Sequence, residues 1–189
     1  MNKLWHTLPL LCIVLMSAGC KKSTTSTGTS SSGSYYMKFK ADGVQKEFLQ
    51  NTSGSFNRQQ TNNTANYAST FGGTLDPSMV TKNNMTIALV TVGPAKLNQL
   101  YTNYKTTAAG MLKAFIVQPG YYDENGVFWL SWSDDFIPAI PPGTTTSAGV
   151  TVTAAGSSGI RGTFSGVLYN SDFSKKLIIT EGDFFLKMQ

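Results

Sequence analysis

The chain is poor in the groups that most enzymes use near neutral pH. Its 189 residues include two cysteines and one histidine, and Cys12, Cys20 and His6 all lie in the N-terminal segment. Whatever folds beyond Cys20 therefore has no thiol, no disulfide and no imidazole. A Ser-His-Asp triad, a Cys-His dyad and an ordinary zinc site each need one of those groups, so all three are excluded. We predict no metal site and no cofactor.

Charge is also scarce. Charged residues make up 13% of the chain, against about a quarter in an average protein. The formal net charge of +5 comes from basic residues that are scattered without a basic helix or a long run, so no nucleic-acid partner is predicted. Aromatic residues reach 12%. A polar, uncharged and aromatic-rich composition suits a β protein that works outside the cytoplasm.

Residues 1–22 predict an export signal. Lys3 is followed by an apolar run from Leu8 to Met16 and then by small residues before Cys20, an order typical of a secretory signal peptide. As a helix at about 1.5 Å per residue, the run spans roughly 14 Å, which is about half of the hydrocarbon thickness of a bilayer. It therefore does not predict a stable membrane span.

The sequence Ser17-Ala18-Gly19-Cys20 resembles the lipobox of bacterial lipoproteins, although Ser17 stands where the lipobox usually has Leu. The resemblance implies a signal peptide over residues 1–19, cleavage before Cys20 and acylation of Cys20. Residues 20–34 then form a flexible Ser/Thr/Gly tether, and residues 35–189 form a single domain. The predicted location is the outer membrane, held through the acyl chains. The periplasmic face and the cell surface both stay open.

The remaining sequence predicts an all-β domain. Tyr35, Met37 and Phe39 alternate with polar residues, which is the period of a half-buried strand, and Asp42-Gly43 turns the chain into a second strand. Turn signals recur between short apolar segments, so we expect about nine strands in an antiparallel β-sandwich or partly closed barrel. The predicted strands are 35–41, 44–49, 67–75, 85–92, 114–118, 127–133, 149–154, 160–168 and 177–188.

Other segments are predicted to interrupt the strands. Residues 50–66 are polar with Phe56 as the single apolar anchor, which indicates a loop or a weak edge strand. Residues 95–104 carry apolar side chains at spacings of three and four and are the one candidate for a short helix. Residues 136–146 are rich in proline and predict a loop. Pro119-Gly120 is expected to join two strands, and Gly182 to mark a β-bulge.

Segments near both ends of the domain resemble a known family. Met37 to Gly43, Ile160 to Gly166 and Ile178 to Phe184 look like parts of the small, uncharacterised β-sandwich lipoproteins of Bacteroidota. The resemblance implies a sandwich fold and an envelope location. It supplies no catalytic residue, because the shared residues belong to turns and strands. Some members reach the cell surface and carry acidic residues soon after the lipidated cysteine, a signal from which Lys21-Lys22-Ser23 departs.

Aromatic residues around one predicted hairpin form the main candidate for a ligand site. Tyr121, Tyr122, Trp129 and Trp132 could provide a flat platform on which a sugar ring stacks. Alternation along a strand places Trp129 and Trp132 on opposite sides, so one of them is expected in the core. Structural packing of the whole group is the alternative interpretation.

Two groups of carboxylates were considered as reactive or metal-binding sites. Glu181 and Asp183 share one side of a strand with Cβ atoms roughly 6 to 7 Å apart, a separation that a glycosidase could use. The same pair fits a solvated bulge. Residues 123–125, together with Asp134 and Asp135, offer oxygens that suit calcium, but the twelve-residue calcium loop is missing and turns favour the same residues.

The sequence thus favours binding over catalysis. We expect a lipid-anchored envelope lipoprotein that acts as a non-catalytic carbohydrate- or protein-binding accessory module. A structural or adhesive envelope component without a small ligand is the alternative. A glycan-active enzyme that uses a carboxylate pair is the third possibility.

Overall fold

The computed structural model describes residues 34–103, 111–113, 116–132, 141, 144 and 147–189. All of these belong to one compact unit, Gly33–Gln189. The predicted leader, lipidation at Cys20 and the tether up to residue 33 lie outside the described residues. Asp134, Asp135 and most of the predicted 136–146 loop also lie outside them.

The described part of the chain consists of strands and turns and contains no helix, which confirms the all-β prediction. No helix there has the length and the apolar composition needed to cross a membrane. The strands are β1 (Tyr36–Ala41), β2 (Val44–Phe48), β3 (Gln50–Gln59), β4 (Asn66–Thr74), β5 (Asn84–Val92), β6 (Leu100–Thr102), β7 (Met111–Lys113), β8 (Ile116–Tyr122), β9 (Phe128–Leu130), β10 (Ser147–Gly156), β11 (Gly159–Asn170) and β12 (Lys176–Met188).

The strands follow the order β2-β1-β12-β3-β4-β5-β8-β9-β11-β10-β6-β7, and β12 also pairs with β11. Because β12 pairs with β11 as well as with β3, the strands between them close into a ring, and its two sides face each other as a sandwich. The layer made of β1, β12, β11 and β10 faces the layer made of β3, β4, β5 and β8. Across the interior, the rings of Phe39 and Tyr121 lie 5.4 Å apart, and those of Phe71 and Phe184 lie 4.9 Å apart.

The first hairpin forms as the sequence predicts. Met37, Phe39 and Ala41 are buried, whereas the residues between them are only partly covered. Asp42 and Gly43 both have positive φ, 46° and 82°, as a two-residue type I′ turn requires. Each buried Phe or Met side chain stabilises the fold by about 1.5–3 kcal/mol, so this alternation fixes which face of β1 meets the core.

The prediction for residues 50–66 was wrong in its main part. Residues 50–59 form β3, which lies inside the sheet between β12 and β4. Its polar side chains are hydrogen-bonded: the hydroxyls of Ser55 and Thr70 lie 3.0 Å apart, and the Asn57 amide both donates to and accepts from the backbone of Ala95, at 2.8 and 2.7 Å. A strand inside a sheet can therefore carry polar side chains when neighbouring residues satisfy their hydrogen bonds.

The helix proposed for residues 95–104 is not formed over the described part, 95–103. The chain turns at Leu97 and Asn98, where Asn98 has a positive φ of 58°, and then forms β6 against β10. The Asn98 N–H donates to the carbonyl of Val152 at 2.8 Å, and the Tyr101 hydroxyl accepts the Lys96 N–H at 2.8 Å. These contacts to neighbouring elements outweigh a weak helical pattern.

Pro119-Gly120 lies within β8 rather than between two strands. The Pro119 carbonyl accepts the N–H of Ser131, just beyond the end of β9, at 3.0 Å. Because the N–H and C=O groups of one strand residue point to the same side, the missing N–H of Pro119 also faces this end. Pro119 therefore costs β8 no hydrogen bond to β5.

Two further expectations need correction. The described residues form twelve strands instead of about nine, because polar β3 and the short β6 and β7 gave no apolar alternation. The sheet is also mixed, since β3 runs parallel to β12 and β6 runs parallel to β7. Parallel neighbours need a long connection, and short-range turn signals cannot reveal one.

The predicted bulge in β12 is present. Phe164 pairs with Gly182 and Gly166 pairs with Ile179, so two residues of β12 oppose one of β11. The residue with positive φ is Glu181, at 51°, and not Gly182. Gly182 is needed for space: a Cβ there would collide with the Phe164 carbonyl and lie 2.6 Å from the Phe164 Cδ1.

We expect Gly182→Ala to lower the free energy of unfolding by roughly 1–3 kcal/mol, because the added methyl group overpacks the contact with Phe164. Urea denaturation measures the change. Gly156→Ala is the matched control, since a Cβ at Gly156 meets nothing within 4 Å, and it should stay within about 0.5 kcal/mol of the wild type. Equal effects of the two substitutions would contradict the steric explanation.

Candidate functional site

The outer face of β5, β8 and β9 carries a groove. Strand alternation turns Met85 and Ile87 of β5 into the core and leaves Asn84, Thr86 and Ala88 on the outer face. Pairing of β8 with both β5 and β9 brings the outward residues of the three strands side by side. They enclose an open groove of about 280 Å³.

One wall of the groove is apolar. The rings of Tyr122 and Phe128 are 4.6 Å apart and inclined by 32°, and Leu130 continues this wall along β9. Gly120 of β8 lies opposite Leu130 of β9 in the register of the strands. A Cβ at Gly120 would approach the Leu130 and Phe128 side chains to 3.3 Å, so the absent side chain leaves room between the rings and β5.

The other wall of the groove is polar and uncharged. It is formed by Asn84, Thr86 and Gln118. The Asn84 amide donates to the carbonyl of Val80 at 3.2 Å, which fixes the orientation of its side chain. Gln118 makes no side-chain hydrogen bond within the described ranges, so both ends of its amide can bind a ligand. An aromatic wall opposite amides and a hydroxyl can stack a flat apolar surface and hydrogen-bond its edge.

The structure separates the four aromatic residues that the sequence suggested as a platform. Tyr122 lines the groove. Tyr121 and Trp129 are 1% and 8% exposed and belong to the core, so they cannot offer a stacking surface. Trp132 is half-buried, and its ring lies 5.5 Å from that of Phe173, away from the groove. The expectation that one of the two tryptophans is in the core is confirmed.

Asp123 has a structural role at the β8–β9 turn. Its Oδ1 accepts the N–H groups of Asn125 and Val127 at 2.9 Å, and its Oδ2 accepts the Trp129 indole N–H at 3.0 Å. Both oxygens are therefore occupied. Within the described ranges, no group of three or more His, Cys, Asp or Glu residues is arranged to hold a metal ion, and the geometry gives no support to the calcium interpretation.

Glu181 and Asp183 each bind a separate partner on β1. The Glu181 carboxylate accepts from the Lys40 ammonium, and Asp183 accepts from the Tyr36 hydroxyl, both at 2.7 Å. Burial and the neighbouring Asp183 raise the pKa of Tyr36. Neither carboxylate lines the groove.

Of the four residues that the sequence suggested as a ligand site, Tyr122 lines the groove, and the other lining residues were missed. The pairing of Tyr122 with Phe128 follows from the turn at Asn125-Gly126, because the two residues flank it. The polar residues were missed because they are distant in sequence from the aromatic hairpin: Asn84 and Thr86 lie on β5, and Gln118 lies in the first half of β8. The sequence did carry a signal for these residues. Small or polar side chains alternate along two strands, at positions 84, 86 and 88 and at positions 118 and 120.

Comparison with known proteins adds no relative: no protein-family model, curated protein or solved structure matches this chain.

We expect Asp123→Ala to lower the free energy of unfolding by about 1.5–3 kcal/mol, because it removes three hydrogen bonds to a charged acceptor. Thermal and urea unfolding measure the loss. Glu124→Ala is the control: its carboxylate pairs with the Lys46 ammonium at 3.0 Å and is 57% exposed, so its removal should cost about 0–1 kcal/mol. A larger loss for Glu124→Ala would contradict this assignment.

Proposed function

We propose that this protein is a non-catalytic binding module for neutral glycans and that the groove between β5, β8 and β9 is its binding site. The observation that carries the proposal is the division of the groove into an aromatic wall and an uncharged polar wall. Tyr122 and Phe128 offer ring surface, while Asn84, Thr86 and Gln118 offer donors and acceptors. A sugar ring has the same division, with C–H faces and hydroxyl edges.

The absence of ionic side chains from the groove lining favours a neutral ligand over a charged one. None of its eight lining residues is Asp, Glu, Lys, Arg or His. The volume of about 280 Å³ is close to the lower end of small-ligand pockets, roughly 300–1,000 Å³. The site therefore suits one or two rings of a longer chain that continues into solvent, and not an enclosed metabolite.

The proposal includes anchoring to the bacterial outer membrane through acylated Cys20. The chain enters β1 at Tyr36, opposite Phe185, whereas Asn84 and Tyr122 lie at the other end of the sandwich, where β1 finishes at Ala41. A domain tethered through its N-terminus can thus present the groove on the side away from its attachment. This arrangement suits a receptor for extracellular or periplasmic glycan.

The binding proposal is tested on an array of neutral oligosaccharides, followed by calorimetry with the best ligand. We expect Tyr122→Ala and Phe128→Ala to weaken binding by roughly three- to tenfold each, since each removes a stacking surface. Tyr67→Ala is the control, because Tyr67 is a half-buried aromatic residue of β4 that does not line the groove. If the protein binds no oligosaccharide on the array, the result would favour a structural or adhesive envelope component instead.

The affinity of the same glycan should be constant from pH 5 to 8 and insensitive to salt. The groove lining contains no Asp, Glu, Lys, Arg or His side chain, so no carboxylate, ammonium, guanidinium or imidazole group contributes a charge there. Calorimetry at three pH values and at two ionic strengths checks this. A steep dependence on either variable would indicate a charged ligand and would contradict the proposed class.

Anchoring is tested by fractionation of cells that express the wild type or Cys20→Ser. We expect the wild type in the membrane pellet and the variant in the soluble fraction, because two or more acyl chains hold a protein stably to a bilayer. Mass spectrometry should find acyl groups on Cys20 at the new N-terminus. An intact leader, or an unmodified Cys20 on protein that still sediments with membranes, would contradict the anchor.

A further inference from the structure

A second cavity opens at the end of the sandwich, on the inner side of β8. It has a volume of about 180 Å³ and lies between the β1–β2 hairpin, the β8–β9 turn and the start of β12. A single water needs roughly 10–15 Å³ of accessible volume. The cavity can therefore take a ligand of several heavy atoms.

Tyr121 is one of the residues that line the cavity, and its hydroxyl is buried. Tyr121 is 1% exposed, and its O–H makes no hydrogen bond within the described part of the chain. The ring packs between Phe39 and Phe48 at 5.4 and 6.4 Å. Burial, followed by the charges of Glu124 and Asp123, raises the pKa of this hydroxyl. Tyr121 and both carboxylates line the same cavity.

The charged lining of the cavity is predominantly negative. Asp42, Asp123 and Glu124 face one cation, Lys46. Lys46 pairs with Glu124 at 3.0 Å, and three N–H donors occupy Asp123. Asp42 accepts one bond, from the Ile178 N–H to its Oδ1 at 2.8 Å. Its second oxygen has no partner among the described atoms and remains able to bind a cation.

The rest of the lining is apolar. Ala41, Val44 and Leu177 form the walls between the carboxylates and the Tyr121 hydroxyl. This lining suits a ligand that combines a short alkyl part with a positively charged group that donates hydrogen bonds, because the carboxylate of Asp42 is an acceptor and the phenol oxygen can accept a hydrogen bond as well as donate one. A metal ion suits the cavity less well, since no three metal-binding side chains converge within the described ranges.

We propose that this end cavity binds a small primary alkylammonium group, with the ammonium between the Tyr121 hydroxyl and Asp42 and the alkyl part against Ala41, Val44 and Leu177. The cavity and the glycan groove use opposite sides of β8, because Tyr121 points inward and Tyr122 points outward. The proposal does not depend on the glycan function.

The test is a titration of the full chain, labelled with ¹³C in its tyrosine rings, with ethanolammonium chloride. The Tyr121 signals are identified by their loss in Tyr121→Phe. We expect them to shift saturably at millimolar concentration while the Tyr122 signals do not. Ethylene glycol, which lacks the charge, and sodium chloride, which lacks the donor groups, should leave the Tyr121 signals in place.

Calorimetry with ethanolammonium then compares matched variants. Tyr121→Phe and Asp42→Asn should each weaken binding by about tenfold or more, because each removes one acceptor from a charged donor. Asn keeps the acceptor for the Ile178 N–H, so Asp42→Asn tests the charge even if Tyr121→Phe alters packing. Tyr122→Ala should bind as the wild type does. Equal shifts with ethylene glycol, or unchanged affinity in both cavity variants, would overturn the proposal.

Discussion

The structure depends on the two edges of β12. One edge pairs with β1 and then, at Lys187 and Met188, with β3; the other pairs with β11 along almost its whole length. This single strand therefore belongs to both parts of the sheet and holds them around one core. The bulge at Glu181 and Gly182 lets β12 bend without separating from either neighbour. A side chain at Gly182 would force it away from Phe164.

Strand alternation on β8 creates two surfaces of different chemistry only one residue apart. Tyr121 enters the core and ends at a cavity lined by carboxylates, whereas Tyr122 faces outward and stacks against Phe128. The outer groove has no ionic lining, whereas the inner cavity is lined by three carboxylates and one ammonium group. The two sites can therefore be perturbed separately, although both depend on the same strand and the same turn.

The turn after β8 links the sites to the stability of the fold. Asp123 satisfies two backbone N–H groups and the Trp129 indole, which fixes both the return of the chain into β9 and the position of a core side chain. Because Phe128 follows this turn, its ring can face Tyr122 only while the hydrogen bonds hold. Asp123, one of the residues that suggested calcium, thus acts as a scaffold for the groove.

The sequence by itself determined the fold class, the first hairpin and the bulge in β12, since each follows from alternation or turn chemistry within a few residues. It also identified Tyr122 as a candidate ligand contact. Only the tertiary structure decided that polar β3 is an interior strand, that residues 100–102 form a strand against β10, and that Tyr121 and Trp129 are buried. The physical reason is that these outcomes depend on partners distant in sequence. Hydroxyls and amides are stable inside a sheet only when another strand supplies their hydrogen bonds, and an aromatic ring becomes core or contact surface according to which layer covers it.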